Sequence, residues 1–179
     1  RQLELGHQEY HLGHFDEAYR AYRQALDLFR MLSDRLGEAT ALSSIGTVYN
    51  ARGSGSDAIN MYRQAIDIAR EIRNPGHEGR HLGNLGSAYQ RQGDYQRAIE
   101  CCARAVDLLR VAGDRRFEAV NLGNIGIFHQ RQGRLSLAGL FFTQAIKIQK
   151  QVGDRPSQLK NVGNLGLISQ TEGDYEQAL

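Results

Sequence analysis

The fold is decided by the stretch LGNLGSAYQRQGDYQRA, residues 82–98. Gly83, Gly86 and Gly93 lie in it among leucine, alanine, glutamine and arginine, which are good helix formers. A glycine inside a helix costs about 1 kcal/mol relative to alanine, so these glycines need a structural reason. A closely similar stretch, LGNIGIFHQRQGRLSLA, follows at residues 122–138.

This similarity extends along the whole sequence with a period of 40 residues. Two glycine columns and two alanine columns show it: Gly6, Gly46, Gly86, Gly126, Gly166; Gly13, Gly53, Gly93, Gly133, Gly173; Ala18, Ala58, Ala98, Ala138, Ala178; Ala25, Ala65, Ala105, Ala145. A fixed period of this length indicates a repeat protein. We expect a single array with units 1–38, 39–78, 79–118 and 119–158 and a partial unit 159–179.

Each unit carries two helical patterns with a glycine between them. Leu82, Leu85 and Tyr89 form an apolar stripe at helical spacing, Gly93 ends it, and a wider stripe follows over residues 95–109. The residues expected to cap the first helices share one column: Asp34, Asn74, Asp114 and Asp154. Pro156 is expected in the first turn of its helix.

The glycines within the helices are interpreted as close contacts between helices. Gly86 lies on a first helix, and the small Ala98 column lies on the second helix. A glycine opposite an alanine would let the two backbones approach closely. Gly83 and its equivalents would provide a second position at which the helices can approach closely.

With Leu82, Gly86, Gly93 and Ala98 at these positions, the unit resembles the tetratricopeptide repeat. The proline that usually closes a 34-residue unit is replaced by basic residues: Arg30, Arg70, Arg110 and Lys150. With its Leu-Gly-Asn triplet at 82–84, the sequence is most similar to the 40-residue Leu-Gly-Asn type of this repeat. The resemblance implies an all-α, right-handed α-solenoid of stacked antiparallel helix–turn–helix repeats, with first helices lining a concave groove.

The columns that the resemblance places in the groove are rich in amides and basic side chains. They comprise Thr40, Ser44, Asn50, Arg80, Asn84, Gln90, Arg91, Asn124, Gln130, Arg131, Lys160, Asn164 and Gln170. Amides can bind the backbone of an extended peptide, and arginine or lysine can pair with carboxylates. The asparagines have an equally weighted alternative role, which is hydrogen bonding between adjacent repeats.

These features predict a non-catalytic scaffold that binds an extended or partly helical peptide, with acidic residues, of a partner protein. The alternative function is a self-assembling or regulatory array within a larger signalling protein. The chain looks like an excised piece of a longer array, so exposed terminal repeats could associate end to end.

Composition and motifs argue against other functions. The net charge is +2, from 22 basic and 20 acidic residues, which does not favour nucleic acid, and no apolar run is long enough for a membrane. We identify no catalytic motif, no enzyme activity and no cofactor. His7, His11 and His14 are a weak metal candidate and are better interpreted as surface histidines. Cys101 and Cys102 are expected to be reduced thiols, as in the cytoplasm.

Overall fold

The computed structural model describes the backbone of residues 1–178 and the side chains of residues 1–170. This part of the chain contains nine helices and no strand. The helices are α1 Gln2–His11, α2 Phe15–Met31, α3 Arg35–Ala51, α4 Gly55–Glu71, α5 Pro75–Arg91, α6 Tyr95–Val111, α7 Arg115–Arg131, α8 Leu135–Val152 and α9 Arg155–Ala178.

Each helix packs against the helices before and after it in sequence, and first helices also touch across repeats, as α3 does with α5 and α5 with α7. Short turns join the helices, so neighbours run antiparallel. The predicted all-α solenoid of helix–turn–helix pairs is therefore confirmed. Its first helices begin at Arg35, Pro75, Arg115 and Arg155, a few residues before the unit boundaries predicted from sequence.

The helix starts follow from side-chain capping. The carboxylate or amide oxygen of each predicted cap accepts the N–H three residues on: Asp34 from Gly37, Asn74 from His77, Asp114 from Phe117 and Asp154 from Ser157. Pro156 lies in the first turn of α9, where a missing N–H removes no helical bond.

The glycines within the helices face larger side chains than the sequence predicted. A Cβ added at Gly126 would lie 2.7 Å from Cε1 of Phe142, and one at Gly86 would lie 2.7 Å from Sγ of Cys102. The Ala98 carbonyl oxygen, 3.1 Å from the same Gly86 position, is only the second contact. The column therefore makes room for a buried ring or thiol from the second helix, four residues beyond the alanine that we expected.

An arginine–glutamate pair joins successive repeats where the family usually has its closing proline. Each arginine at the end of a second helix binds a glutamate in the next first helix: Arg30 Nε to Glu38 Oε1 at 2.9 Å, Arg70 Nη2 to Glu78 Oε1 at 3.0 Å, and Arg110 Nε to Glu118 Oε1 at 3.0 Å. The glutamates are buried, so each pair fixes one repeat on the next. The glutamate column was missed although its 40-residue period is visible in the sequence.

The final helix differs from the predicted pattern. A turn was expected at Gly173, as at Gly13, Gly53, Gly93 and Gly133, but α9 continues as helix to Ala178. The turns at the four earlier glycines precede helices of at least 17 residues that pack back on the stack.

Candidate functional site

A concavity in the described part of the chain lies on the face formed by the first helices. It is a hollow of about 400 Å³ between α1, α3, α5 and α7, with one residue from α2. Its lining residues are His7, Tyr10, His11, Tyr22, Thr40, Ser43, Ser44, Thr47, His77, Arg80, His81, Asn84 and Phe117. Side chains from four repeats therefore meet at one place.

The lining of this hollow has basic groups but no acidic group. The lining contains four imidazoles, one guanidinium, three aromatic rings, four hydroxyl groups of Ser or Thr and an amide, but no carboxylate. Burial lowers the pKa of His7 and His77, and it lowers the pKa of His81 to about 4. The lining also contains the guanidinium of Arg80, which is charged at neutral pH.

Arg80 is held in place by two residues at the start of α7, the first helix of the fourth repeat. Its Nε and Nη2 donate to Oδ2 of Asp114 at 2.9 and 2.6 Å, and its guanidinium lies 4.4 Å from the centroid of the Phe117 ring. Asp114 also caps α7, so one carboxylate connects the helix start to the groove cation. A ligand would meet a side chain that is already ordered, which lowers the entropic cost of binding.

His81 is the most deeply buried imidazole of the hollow. It is 4% exposed, and its Nε2 has no hydrogen-bond partner within the described residues. The neighbouring charged and titratable groups on its own helix are His77 and Arg80, and both lower its pKa further. The position is occupied by Asn121 and Asn161 in the next two repeats, so the imidazole is specific to the third repeat.

Four of the predicted groove residues line this hollow: Thr40, Ser44, Arg80 and Asn84. The Nδ2 of Asn84 donates to Oγ of Ser43 at 3.1 Å, which is the repeat-to-repeat bond weighed as the alternative role of the asparagines. Asn84 is nevertheless exposed and remains on the lining, so the bond orients its amide without burying it.

The other predicted residues lie elsewhere. Asn124 and Lys160 line a smaller hollow of about 70 Å³ between α7 and α9, and Asn50 and Arg91 line one of about 150 Å³ beside the Gly53 turn. The remaining five line none of these three hollows; Gln90, Gln130 and Asn164 are half-buried, and Arg131 and Gln170 are exposed. The structure thus distributes the predicted set over several places on the array.

The three histidines of the first repeat do not lie at one site. His7 and His11 line the hollow, whereas Nδ1 of His14 lies 2.8 Å from Oε2 of Glu9. Within the described residues no group of three or more histidine, cysteine, aspartate or glutamate side chains is arranged to hold a metal ion. Sequence reasoning missed the convergence of His7 and His11 with His77 and His81, because they occupy different columns of the repeat.

The two cysteines lie on α6 with unreactive thiols. Cys102 is fully buried, Cys101 is half-buried, and neither forms a disulfide. Burial raises the pKa of the Cys101 thiol to about 11 and raises that of Cys102 further. Both thiols are therefore protonated at neutral pH and are weak nucleophiles.

None of the helices in the described part of the chain combines the length and the apolar character needed to cross a bilayer. What the geometry defines is a helical repeat array with a polar hollow on one face, the general form of a protein-interaction scaffold. The family model described as tetratricopeptide repeat matches residues 2–71 and 78–151, so the chain belongs to the tetratricopeptide repeat family.

Solved structures share the fold at low sequence identity. BtubC from P. vanneervenii superposes with a TM-score of 0.82 at 19% identity over 97% of this chain and 72% of its own. Aspartyl phosphate phosphatase F from Bacillus subtilis gives 0.85 at 17% identity, covering 99% and 49%. A Rap protein complexed with Competence and Sporulation Factor gives 0.81 at 20% identity, also covering 99% and 49%. The chain thus spans about half the length of these last two proteins. A comparison with curated proteins gives no significant match.

Proposed function

We propose that this array is a non-catalytic scaffold that holds an extended or partly helical peptide of a partner protein against its first helices. The observation that carries the proposal is the hollow of about 400 Å³, to which Thr40, Ser44, Arg80 and Asn84 all contribute. Its volume suits one or two side chains of a peptide, the rest of which would follow the stack towards Asn124 and Lys160. We place the chain in the 40-residue Leu-Gly-Asn type of the family.

The lining indicates which peptide side chains it would accept. Tyr10, Tyr22 and Phe117 offer aromatic surface, and Arg80 offers the charge. With no carboxylate in the lining, a peptide with an acidic residue beside an apolar one is complementary to it. The guanidinium already contacts Asp114, so the peptide carboxylate would share an ordered arginine and would not have to order a flexible one.

The similar Rap structure supports a ligand-binding role for this fold, since that protein is complexed with Competence and Sporulation Factor. The free cysteines support a reducing, cytoplasmic compartment. The hollow has neither the extended basic surface typical of nucleic-acid binding nor an arrangement of catalytic groups, and the proposed function needs no cofactor.

The test is selection of binding peptides from a displayed random library, followed by affinity measurement with Arg80→Ala. We expect enriched peptides to be acidic and their affinity to fall about tenfold in the variant, which corresponds to one lost charge-assisted contact. Arg20→Ala is the matched control, because Arg20 is an exposed arginine on α2, outside the hollow and outside the predicted groove set. Equal affinity for both variants would contradict the site.

A further inference from the structure

The outer face of α8 differs from the equivalent face of every other second helix. Leu137 and Leu140 are 43% and 52% exposed on α8. The residues in the same two columns are polar or charged in the three preceding repeats: Glu17 and Arg20 on α2, Asp57 and Asn60 on α4, and Arg97 and Glu100 on α6. Phe141, half-buried beside these leucines, is an alanine, methionine or cysteine in the other repeats.

A further repeat would not cover these leucines. Each of the three preceding second helices is followed by another repeat, yet all six residues in the two columns remain exposed. The side chains of Arg20 and Arg97 are 70% and 62% exposed despite the helices that follow them. The exposure of Leu137 and Leu140 is therefore a property of the fourth repeat itself.

The charge of α8 also differs from that of the other second helices. The helix has no aspartate or glutamate, and Lys147 replaces the acidic column Asp27, Asp67 and Asp107. Arg134, immediately before α8, stands where the third repeat has Asp94. Neither Lys147 nor Arg134 forms an ion pair within the described residues, so both charges are available to a partner.

We propose that the outer face of α8, formed by Arg134, Leu137, Leu140, Gln144 and Lys147, docks an acidic amphipathic helix of a partner protein. Leu140 and Lys147 are seven residues apart, which places them on one side of α8 about 10 Å apart along its axis. A helix lying along this face would place apolar side chains on the two leucines and carboxylates near Lys147 and Arg134.

The surroundings favour a single helix over an anionic lipid surface. The neighbouring second helix, α6, carries exposed Glu100 and Asp107 among the exposed arginines Arg97, Arg104 and Arg110. A flat anionic surface would meet these mixed charges, whereas the cations of α8 have no carboxylate on their own helix. A helix about 10 Å wide can lie on α8 without approaching the charges of α6.

The test replaces the distinctive residues of the fourth repeat by those of the third: Leu137→Arg, Leu140→Glu and Lys147→Asp. These residues are tolerated at the same positions of an equivalent helix, so the variant is expected to fold. A displayed library of 16-residue helical peptides is selected on the wild-type protein and counter-selected on the triple variant. We expect enriched peptides to be acidic, with apolar residues at i, i+3 or i+4 and i+7, and to lose at least about tenfold in affinity for the variant.

The matched control is Arg80→Ala, which alters the hollow between the first helices and should leave affinity for these peptides unchanged. The α8 proposal would be overturned by enrichment of no peptide or of basic ones, or by equal binding to the triple variant. Binding of phosphatidylserine vesicles that the triple variant loses would assign the face to a membrane. A dimer that dissociates in the variant would assign it to a second copy.

Discussion

The third repeat (α5 and α6) and the fourth repeat (α7 and α8) have the same frame and different surfaces. Their first helices are both 17 residues long. Both begin after an N-capping residue, and both contain buried glycines of the repeated columns. Equivalent positions then differ in their residues. His81 of the third repeat corresponds to Asn121 of the fourth, Cys102 corresponds to Phe142, and Arg97 corresponds to Leu137.

The difference separates the residues that build the stack from those that give each repeat its own character. Positions facing the next helix are restricted to small or buried groups, because each repeat must present the same surface to its neighbour. Positions on the groove and on the outer helices are free of that restriction. Exchanging residues between the two repeats is therefore a direct way to test which role each position has.

The largest effect is expected at the glutamate that joins the two repeats. The Glu118 side chain is 1% exposed and binds Arg110 and Arg115, whereas the Glu78 side chain is 9% exposed. Glu118→Gln should lower the free energy of unfolding by about 3 kcal/mol, because it weakens two charge-assisted hydrogen bonds that Arg110 and Arg115 make to a buried carboxylate. Glu78→Gln should cost less, since water can reach its site. Urea unfolding measures both, and an exposed control, Glu100→Gln, should stay within about 0.5 kcal/mol. Equal losses at all three positions would refute this explanation.

The glycines within the helices give the next effect on stability, with opposite signs at Gly126 and Gly139. Gly126→Ala places a Cβ 2.7 Å from the fully buried Phe142 ring and should destabilise the protein by about 2–3 kcal/mol. At Gly139 on α8, an added Cβ would make only an ordinary contact, 3.6 Å from Cδ1 of Leu165. Gly139→Ala should therefore stabilise the helix by up to about 1 kcal/mol. Thermal unfolding distinguishes the two variants. Destabilisation by both would mean that the loss of stability does not depend on contact with the Phe142 ring.

His81→Asn, which introduces the residue of the fourth repeat, should change the dependence of stability on pH. Burial lowers the pKa of His81 to about 4, with further lowering by His77 and Arg80, and the hollow also contains His7 and His11 but no carboxylate. Between pH 6.5 and 4 the unfolded chain binds a proton at this residue and the folded chain does not, so acid destabilises the fold.

The expected loss from this one residue is about 2 kcal/mol between pH 7 and pH 5. Unfolding free energies of the wild type and the variant at the two pH values measure it, because the other five histidines are common to both proteins. The variant should lose less stability in acid than the wild type. An unchanged pH dependence would show that His81 is not the responsible group.

The smallest effect on stability is expected on the outer face of the fourth repeat. Leu137→Arg with Leu140→Glu should change the free energy of unfolding by no more than about 0.5 kcal/mol, since both leucines are substantially exposed. Urea unfolding of the double variant checks this. A loss above about 2 kcal/mol would mean that the leucines are part of the core after all.

The repeat frame could be predicted from the sequence because it depends on local signals. The 40-residue period, the capping column from Asp34 to Asp154 and the helix-ending glycines are each determined within a few residues of the chain. The structure confirms the caps and the turns after the first four glycines. It does not confirm the turn at Gly173, where α9 continues as helix.

The partners across the stack could not be predicted in the same way. Gly86 contacts Cys102 more closely than Ala98, and this depends on the offset between two helices, which no local pattern encodes. His7 and His81 reach one hollow from different columns of the repeat, so the 40-residue period could not bring them together. Whether the thirteen predicted groove residues bind a peptide remains a prediction for the experiments above.

The turns between second and first helices have a consequence for array length. Ser33, Arg73, Gly113 and Gly153 occupy one position and share a left-handed backbone, with φ of 55°, 54°, 73° and 70°. Since serine, arginine and glycine all adopt it there, the packed helices determine the junction. Duplicating a 40-residue unit at this position would leave the next helix on the same path. The number of repeats is therefore adjustable, and so is the length of the surface that the first helices form.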